Sequence, residues 1–117
     1  MKLIIAGGRD YQLTYKDESD LDALKFMLGI TEVVSGGATG ADAGGERWAE
    51  TVGLPVKPFP VSKAEWRELG RKAGPLRNAR MAEYADAVVL FPGADGTESM
   101  YQEAKKRGLK IFDWRLP

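Results

Sequence analysis

Short apolar segments alternate along this chain with segments of helical periodicity. The apolar segments are residues 2–6, 32–35, 55–59, 86–91 and 109–113. Segments this short and this apolar are typical of strands buried on both faces, as in a parallel sheet covered by helices. The alternation therefore predicts an α/β fold, with the proline-rich third strand at an edge of the sheet.

Capping residues predict where the helices begin and end. Ser19 and Asp22 have the S-x-x-D spacing of a capping box that would open the first helix, and Gly29 would end it. Further helices are predicted over residues 40–52, 62–74, 75–85 and 97–107. Without repeats or linkers, residues 1–117 should form a single Rossmann-like three-layer domain with a parallel sheet of about five strands.

The composition excludes several kinds of chemistry. The chain has no histidine and no cysteine, so a Ser-His-Asp triad, a thiolate nucleophile and a disulfide framework are ruled out. Any catalysis would use carboxylates, lysine, tyrosine, serine or threonine. The segment Met1–Gly7 is too short and too soon interrupted by glycines to be interpreted as a signal peptide, and there is no apolar run of about 18 residues. We therefore expect a cytoplasmic protein that does not bind membranes.

The charge is balanced overall but uneven. Lysine and arginine total 17, as do aspartate and glutamate, so general polyanion binding is disfavoured. The exception is the stretch 67–80, where five cations stand against Glu68 alone. It could be a solvated helix face or a patch that contacts a ligand.

Three strand-to-helix loops carry glycines, at residues 7–10, 35–40 and 92–97. In such folds ligands bind beyond the carboxyl ends of the strands, where the strand order reverses. Glycine lets the backbone approach a ligand closely, and a helix N-terminus offers free N–H donors and a partial positive charge. These loops therefore indicate a phosphate-binding site.

A purely structural interpretation of the second loop stays open. Gly36, Gly37 and Gly40 would permit a tight turn, and Thr39 with Asp42 has the T-x-x-D spacing of a capping box. The chain has neither a Walker P-loop nor the G-x-G-x-x-G fingerprint, which argues against NAD-dependent hydride transfer.

Arg77 and Asn78 follow Pro75 in what should be the first turn of a helix. A cation in that turn opposes the helix dipole, so Arg77 is expected to bind a ligand phosphate and Asn78 to contact the ribose or the base. The alternative is that Arg77 pairs with a nearby carboxylate. Trp66 could stack on a base, but a packed tryptophan is the favoured interpretation.

Four ordered motifs carry a family resemblance: "IIAGGRDY", "VVSGGATGADAGGERWAE", "PFP…AEW…GRKAGPLRN" and "AVVLFPGADGTESM". They resemble the SLOG superfamily, in its YspA-like branch of unknown function. The superfamily also contains the LOG phosphoribohydrolases and the DNA-processing DprA/Smf proteins. The resemblance implies a nucleotide-binding domain over residues 1–117, a nucleotide-derived ligand, a homo-oligomer and an association with phages.

The LOG motif P-G-G-x-G-T-x-x-E carries over only in part. The segment Pro92–Gly93, Gly96 and Thr97 match the phosphate-holding positions, whereas Ala94 replaces the second glycine. Met100 stands where the catalytic glutamate would be. The resemblance therefore implies a phosphate grip without the LOG catalytic acid.

Together these arguments give one set of candidate ligand-binding residues. They are Gly8, Arg9, Ser35, Gly36, Gly37, Thr39, Gly40, Asp42, Arg77, Asn78, Pro92, Gly93, Gly96 and Thr97. The leading hypothesis is a binding protein for a nucleotide or nucleotide-derived signal, acting as a sensor or sequestering protein in a phage- or defence-related role.

Two alternatives remain. An N-glycosidase acting on a nucleoside phosphate would need Asp42, Asp95 or Glu98 as its acidic group. Glu98 would require a different loop path, because it lies about 200° around the helix from position 100. The third hypothesis, a DprA-like nucleic-acid-binding module built on residues 67–80, is disfavoured by the zero net charge.

No cofactor or metal is indicated, although a Mg²⁺ beside a phosphate could be held by Asp10, Asp42 and Asp95. The expected partners are a nucleotide-derived small molecule and further copies of the chain, most simply in a two-fold dimer. Candidate surface anchors for such an oligomer are Trp48, Trp66 and Tyr101.

Overall fold

Five parallel strands form a single sheet in the computed structural model, which describes residues 1–116. The strand order is β3-β2-β1-β4-β5. The strands are β1 (Lys2–Ala6), β2 (Glu32–Ser35), β3 (Val56–Pro58), β4 (Ala87–Leu90) and β5 (Lys110–Asp113). The predicted parallel five-stranded sheet is confirmed, and so is the edge position of the third strand.

Helices connect the strands. They are α1 (Tyr15–Leu28), α2 (Ala41–Thr51), α3 (Lys63–Leu69), α4 (Ala73–Tyr84) and α5 (Asp95–Lys106). A 3-10 turn, Gly70–Lys72, joins α3 to α4. Within residues 1–116, every helix is too short or too polar to cross a membrane.

The two faces of the sheet are covered by separate apolar clusters. Leu3 and Ile5 of β1 belong to the cluster that includes Trp48 of α2. Ile4, between them, belongs to the cluster that includes Met81 of α4. This alternation follows from the period-two side-chain pattern of a strand, and it confirms the predicted three layers.

The first helix begins earlier than the sequence predicted. Thr14 is its N-cap, and its hydroxyl accepts a hydrogen bond from the Asp17 N–H at 3.1 Å. The Asp17 carboxylate returns the bond by accepting from the Thr14 N–H at 2.9 Å. The predicted cap at Ser19 was therefore wrong, and Asp22 instead accepts a bond from the Trp48 indole N–H at 2.8 Å.

The predicted end of the first helix at Gly29 and the predicted start of a helix at residue 62 are confirmed, and one predicted helix break is corrected. Gly29 ends α1 in the left-handed conformation, and Ser62 with Glu65 forms the capping box of α3. The break after α3 falls at Gly70, whose φ is 56°, rather than at Gly74. Gly74 lies in the first turn of α4, because the 3-10 turn brings the chain back into helical conformation earlier.

Candidate functional site

A cleft of about 980 Å³ lies at the carboxyl ends of β1 and β4. The chain leaves β1 towards β2 and leaves β4 towards β5, on opposite sides, so these strands flank the reversal of strand order where ligands usually bind. The Gly8 N–H donates to the Pro92 carbonyl at 2.8 Å and ties the two loops together. The volume suits a small organic ligand.

Most of the candidate residues meet in this cleft. Those that line it are Gly8, Arg9, Gly36, Asp42, Arg77, Asn78, Pro92, Gly93, Gly96 and Thr97. Those that do not are Ser35, Gly37, Thr39 and Gly40. Their hydrogen bonds and backbone geometry show what they do instead.

The loop between β4 and α5 presents unused donors to the cleft. Thr97 as a whole is only 4% exposed, but its hydroxyl, which has no hydrogen-bond partner within residues 1–116, is open to the cleft. The first backbone N–H groups of α5, those of Asp95 and Gly96, are likewise unpaired in the described chain. An anion placed here would receive several donors and the positive end of the α5 dipole.

Gly93 is required by the close packing of this loop. A Cβ at this position would overlap the Thr97 hydroxyl and would lie 2.7 Å from the Gly8 nitrogen. At Gly96, by contrast, a Cβ would meet no protein atom within 4 Å. Gly93 is therefore needed for packing, whereas Gly96 leaves space open.

The loop between β2 and α2 is closed by the protein itself. The buried Ser35 hydroxyl donates to the Glu46 carboxylate at 2.6 Å and accepts from the Gly37 N–H at 3.1 Å. The first N–H of α2, that of Ala41, donates to the Gly8 carbonyl at 3.1 Å. This loop therefore shapes the cleft but offers fewer free donors than the start of α5.

The proposed T-x-x-D capping box of this loop is not formed. The N-cap of α2 is Gly40, with φ 74°, and it packs directly on the backbone of Arg9. The Thr39 hydroxyl donates to the Arg9 carbonyl at 3.2 Å, whereas the Asp42 carboxylate accepts from the Ala38 N–H at 3.2 Å. Asp42 is thereby turned towards the cleft that it lines.

Arg77 spans the floor of the cleft. Its Nη1 donates to the Gly36 carbonyl at 2.7 Å, and its Nε donates to the Asn78 side-chain oxygen at 3.2 Å. Because α4 begins at Ala73, Arg77 lies in the second turn, and the expected conflict with the helix dipole was wrong. A guanidinium has five N–H donors, so others remain for a ligand.

Asp42 and Arg77 face each other, but they do not form one of the ion pairs found within residues 1–116. Burial is the main cause that raises the pKa of Asp42, and the Ala38 N–H and Arg77 act against it. Burial likewise lowers the pKa of Arg77, with Asp42 opposing that change. A buried carboxyl held beside a guanidinium in this way is a common feature of functional sites.

Asn78 holds two helices together. It is 6% exposed, and its amide nitrogen lies 3.2 Å from both the Gly96 carbonyl and the Ser99 hydroxyl. Its oxygen accepts the bond from Arg77. With these contacts Asn78 positions the start of α5 and the guanidinium.

The carboxylate candidates are separated. Glu98 is exposed and does not line the cleft; it binds Gln102 and, at 3.0 Å, Arg115, and these contacts lower its pKa. Asp42 and Asp95 do line the cleft, as does Asp10. Within residues 1–116 the structure gathers no three acidic side chains that could hold a metal ion, so the suggested magnesium group is not assembled.

The aromatic predictions need two corrections. Trp66 is 44% exposed and lines the cleft, so the favoured interpretation as a packed tryptophan was wrong. Trp48 is 2% exposed and cannot anchor an oligomer, whose existence stays a prediction. Sequence reasoning also missed Tyr11, although it ends the first quoted motif, and Arg71, which was noted only as part of a charged stretch.

Comparison with known proteins agrees with this architecture. The model of YAcAr, the YspA, cpYpsA-related SLOG family, matches residues 1–68. The chain belongs to this SLOG family. A relative of this SLOG protein is Gene 61 protein of Mycobacterium phage D29, which is 39% identical over 125 residues covering 97% of this chain and 95% of the relative.

A solved structure shares the fold. It is the DNA processing protein A (DprA) of Streptococcus pneumoniae, with a TM-score of 0.73 and 16% sequence identity. The match covers 96% of the SLOG protein and 49% of the DprA chain, so this protein spans about half the length of that neighbour. At this identity the likeness shows the fold alone.

Proposed function

We propose that this SLOG protein binds a nucleotide or nucleotide-derived signalling molecule in the cleft between β1 and β4, as a sensor or sequestering protein. The observation that carries the proposal is the Thr97 hydroxyl, which is open to the cleft, has no partner in the described chain and stands beside the free N–H groups of Asp95 and Gly96. Free donors at a helix N-terminus, together with the helix dipole, favour an anion, so this cluster suits a ligand phosphate.

The remaining polar groups of the cleft suit the rest of a nucleotide. Arg77 is pre-positioned by its bonds to Gly36 and Asn78 and would neutralise phosphate charge. Asp42 would accept hydrogen bonds from ribose hydroxyls. Arg9 and Arg71 line the same cleft, are exposed, and have no carboxylate partner within residues 1–116.

The test uses a mixed pool of nucleoside monophosphates, NAD, ADP-ribose, cyclic ADP-ribose isomers and cyclic dinucleotides. The protein-free filtrate is measured by liquid chromatography and mass spectrometry before and after heat denaturation. A binder removes one species and returns it intact on heating. If every species stays in the filtrate, the proposal is refuted for these ligand classes.

Variants locate the site. Thr97→Val and Arg77→Ala should each weaken binding by about 10-fold or more, since hydrogen bonds to charged groups contribute about 1.5–3 kcal/mol. Arg67→Ala is the matched control, because Arg67 is exposed and does not line the cleft. Unchanged affinity in the first two variants would place the ligand elsewhere.

One observation favours a second candidate, an N-glycosidase acting on nucleoside phosphates. The raised pKa of buried Asp42 in the cleft is a property expected of a catalytic acid. This activity would release free base and ribose phosphate from the pool, and Asp42→Asn should abolish the release. Intact recovery of the ligand excludes it. A steep salt dependence of DNA affinity would instead support a nucleic-acid-binding role.

The phage relative supports a role in phage biology or defence, because the two proteins align over nearly their full lengths.

A further inference from the structure

Trp66 is an aromatic side chain of the cleft that the protein leaves unused. It is 44% exposed, and α3, which carries it, buries none of its residues. Within residues 1–116 its ring stacks on no other aromatic ring, and its indole N–H has no acceptor. Tyr11, which also lines the cleft, is already stacked on Phe91 with ring centroids 5.3 Å apart.

Gly74 is a second feature of the same wall that packing does not explain. A Cβ at Gly74 would meet no protein atom within 4 Å, and its φ is not positive. Glycine weakens a helix relative to alanine, so neither the backbone nor the neighbours require it in the first turn of α4. The space beside Gly74 therefore opens into the cleft that it lines.

The order of these features along the wall matches the parts of a nucleotide. Asn78 contacts Gly96 at the start of α5, where the phosphate is expected. Gly74 lies four residues before Asn78 on α4, which is about 6 Å along the helix axis. Trp66 follows beyond the 3-10 turn.

We infer that Trp66 stacks on the nucleobase of the bound ligand, with the sugar lying over Gly74. This inference rests on the proposed function and narrows the ligand class to nucleotides that keep their base, since a base-free sugar phosphate would leave the indole exposed. Stacking is tolerant of base identity, because every base has an aromatic face.

The test compares ligands with and without a base by isothermal titration calorimetry. The probes are the 5′-monophosphates of adenosine, guanosine, cytidine and uridine, ADP-ribose, and ribose 5-phosphate as the base-free probe. Trp66→Ala should weaken nucleotide binding about 10- to 100-fold and leave ribose 5-phosphate binding unchanged. Leu76→Ala is the control, because Leu76 is 43% exposed on α4 but does not line the cleft.

Two further variants separate stacking from loss of folding. Trp66→Phe should keep affinity within a few-fold while removing the quenching of tryptophan fluorescence that accompanies nucleotide binding. Gly74→Ala should raise thermal stability and weaken nucleotide binding, since its methyl group would fill the sugar position.

The outcomes distinguish this inference from the proposed function. If Trp66→Ala binds nucleotides like the wild type while Thr97→Val binds them weakly, the phosphate site stands and the stacking is refuted. An equal loss of affinity for nucleotides and ribose 5-phosphate would also refute it. If the wild-type protein binds no nucleotide, the proposed function and this inference fall together.

Discussion

Gly93, in the loop before α5, and Gly96, in the first turn of α5, should respond to substitution by alanine with opposite changes in the free energy of unfolding. In Gly93→Ala the new methyl group would overlap the Thr97 hydroxyl and lie 3.0 Å from the Thr97 Cβ. It would also lie 2.7 Å from the Gly8 nitrogen, which holds the Pro92 carbonyl at 2.8 Å. In Gly96→Ala the methyl group meets no protein atom within 4 Å.

The magnitudes follow from these contacts. Overpacking costs about 1–3 kcal/mol, and strain on the Gly8–Pro92 hydrogen bond adds up to about 1 kcal/mol, so Gly93→Ala should lower the free energy of unfolding by about 1–4 kcal/mol. Gly96→Ala should raise it by about 0.5–1 kcal/mol, because alanine favours the helix and this φ is not positive.

Urea denaturation followed by far-ultraviolet circular dichroism measures both changes. With equal m-values, the midpoint of Gly93→Ala should fall and that of Gly96→Ala should rise relative to the wild type. Nucleotide binding should weaken in Gly96→Ala despite its greater stability. The packing argument is refuted if the two variants unfold at the same urea concentration.

Four further variants test other contacts by denaturation. Thr14→Ala should cost about 1 kcal/mol, whereas Ser19→Ala should change the free energy of unfolding by less than about 0.5 kcal/mol; the reverse order would contradict the observed cap. Trp48→Phe should cost about 1–3 kcal/mol, because it leaves a void and removes the bond to Asp22; unchanged stability would contradict this. Asp42→Asn should be more stable than the wild type at neutral pH. Because burial raises the pKa of this carboxyl, protonation favours the folded state of the wild type. The difference in free energy of unfolding between the variant and the wild type should therefore narrow as the pH falls through the raised pKa towards the ordinary value. A difference in free energy that stays constant with pH would contradict this reasoning.

The sheet and the loop before α5 could be predicted because local patterns determine them. The apolar run Ala87–Leu90 is buried throughout, and Gly93, which follows it, stands where two loops must approach each other. Helix starts were harder. Thr14 with Asp17 and Ser19 with Asp22 offer the same capping spacing, and the choice between them depends on where Trp48 lies in the folded chain.

The roles of polar side chains in the cleft could be predicted only in part. Asn78 was identified from its neighbour Arg77, but its bonds to α5 join residues 18 and 21 positions away in the sequence. The exposure of Trp66 depends on how α3 packs, and the spacing of apolar residues in α3 does not reveal that this helix buries none of them. Contacts between distant segments decide both cases.

The central position of β1 also has a kinetic consequence. Its Lys2 N–H donates to the Asp86 carboxylate at 2.8 Å across 84 residues of sequence, so β4 must be in place before β1 has both neighbours. Contacts this distant make folding slow, because the chain loses loop entropy before it gains them. The cleft lies at the carboxyl ends of these two strands, β1 and β4. A molecule that bridges the two strands would hold β1 to the second half of the chain, and would act chiefly by slowing unfolding.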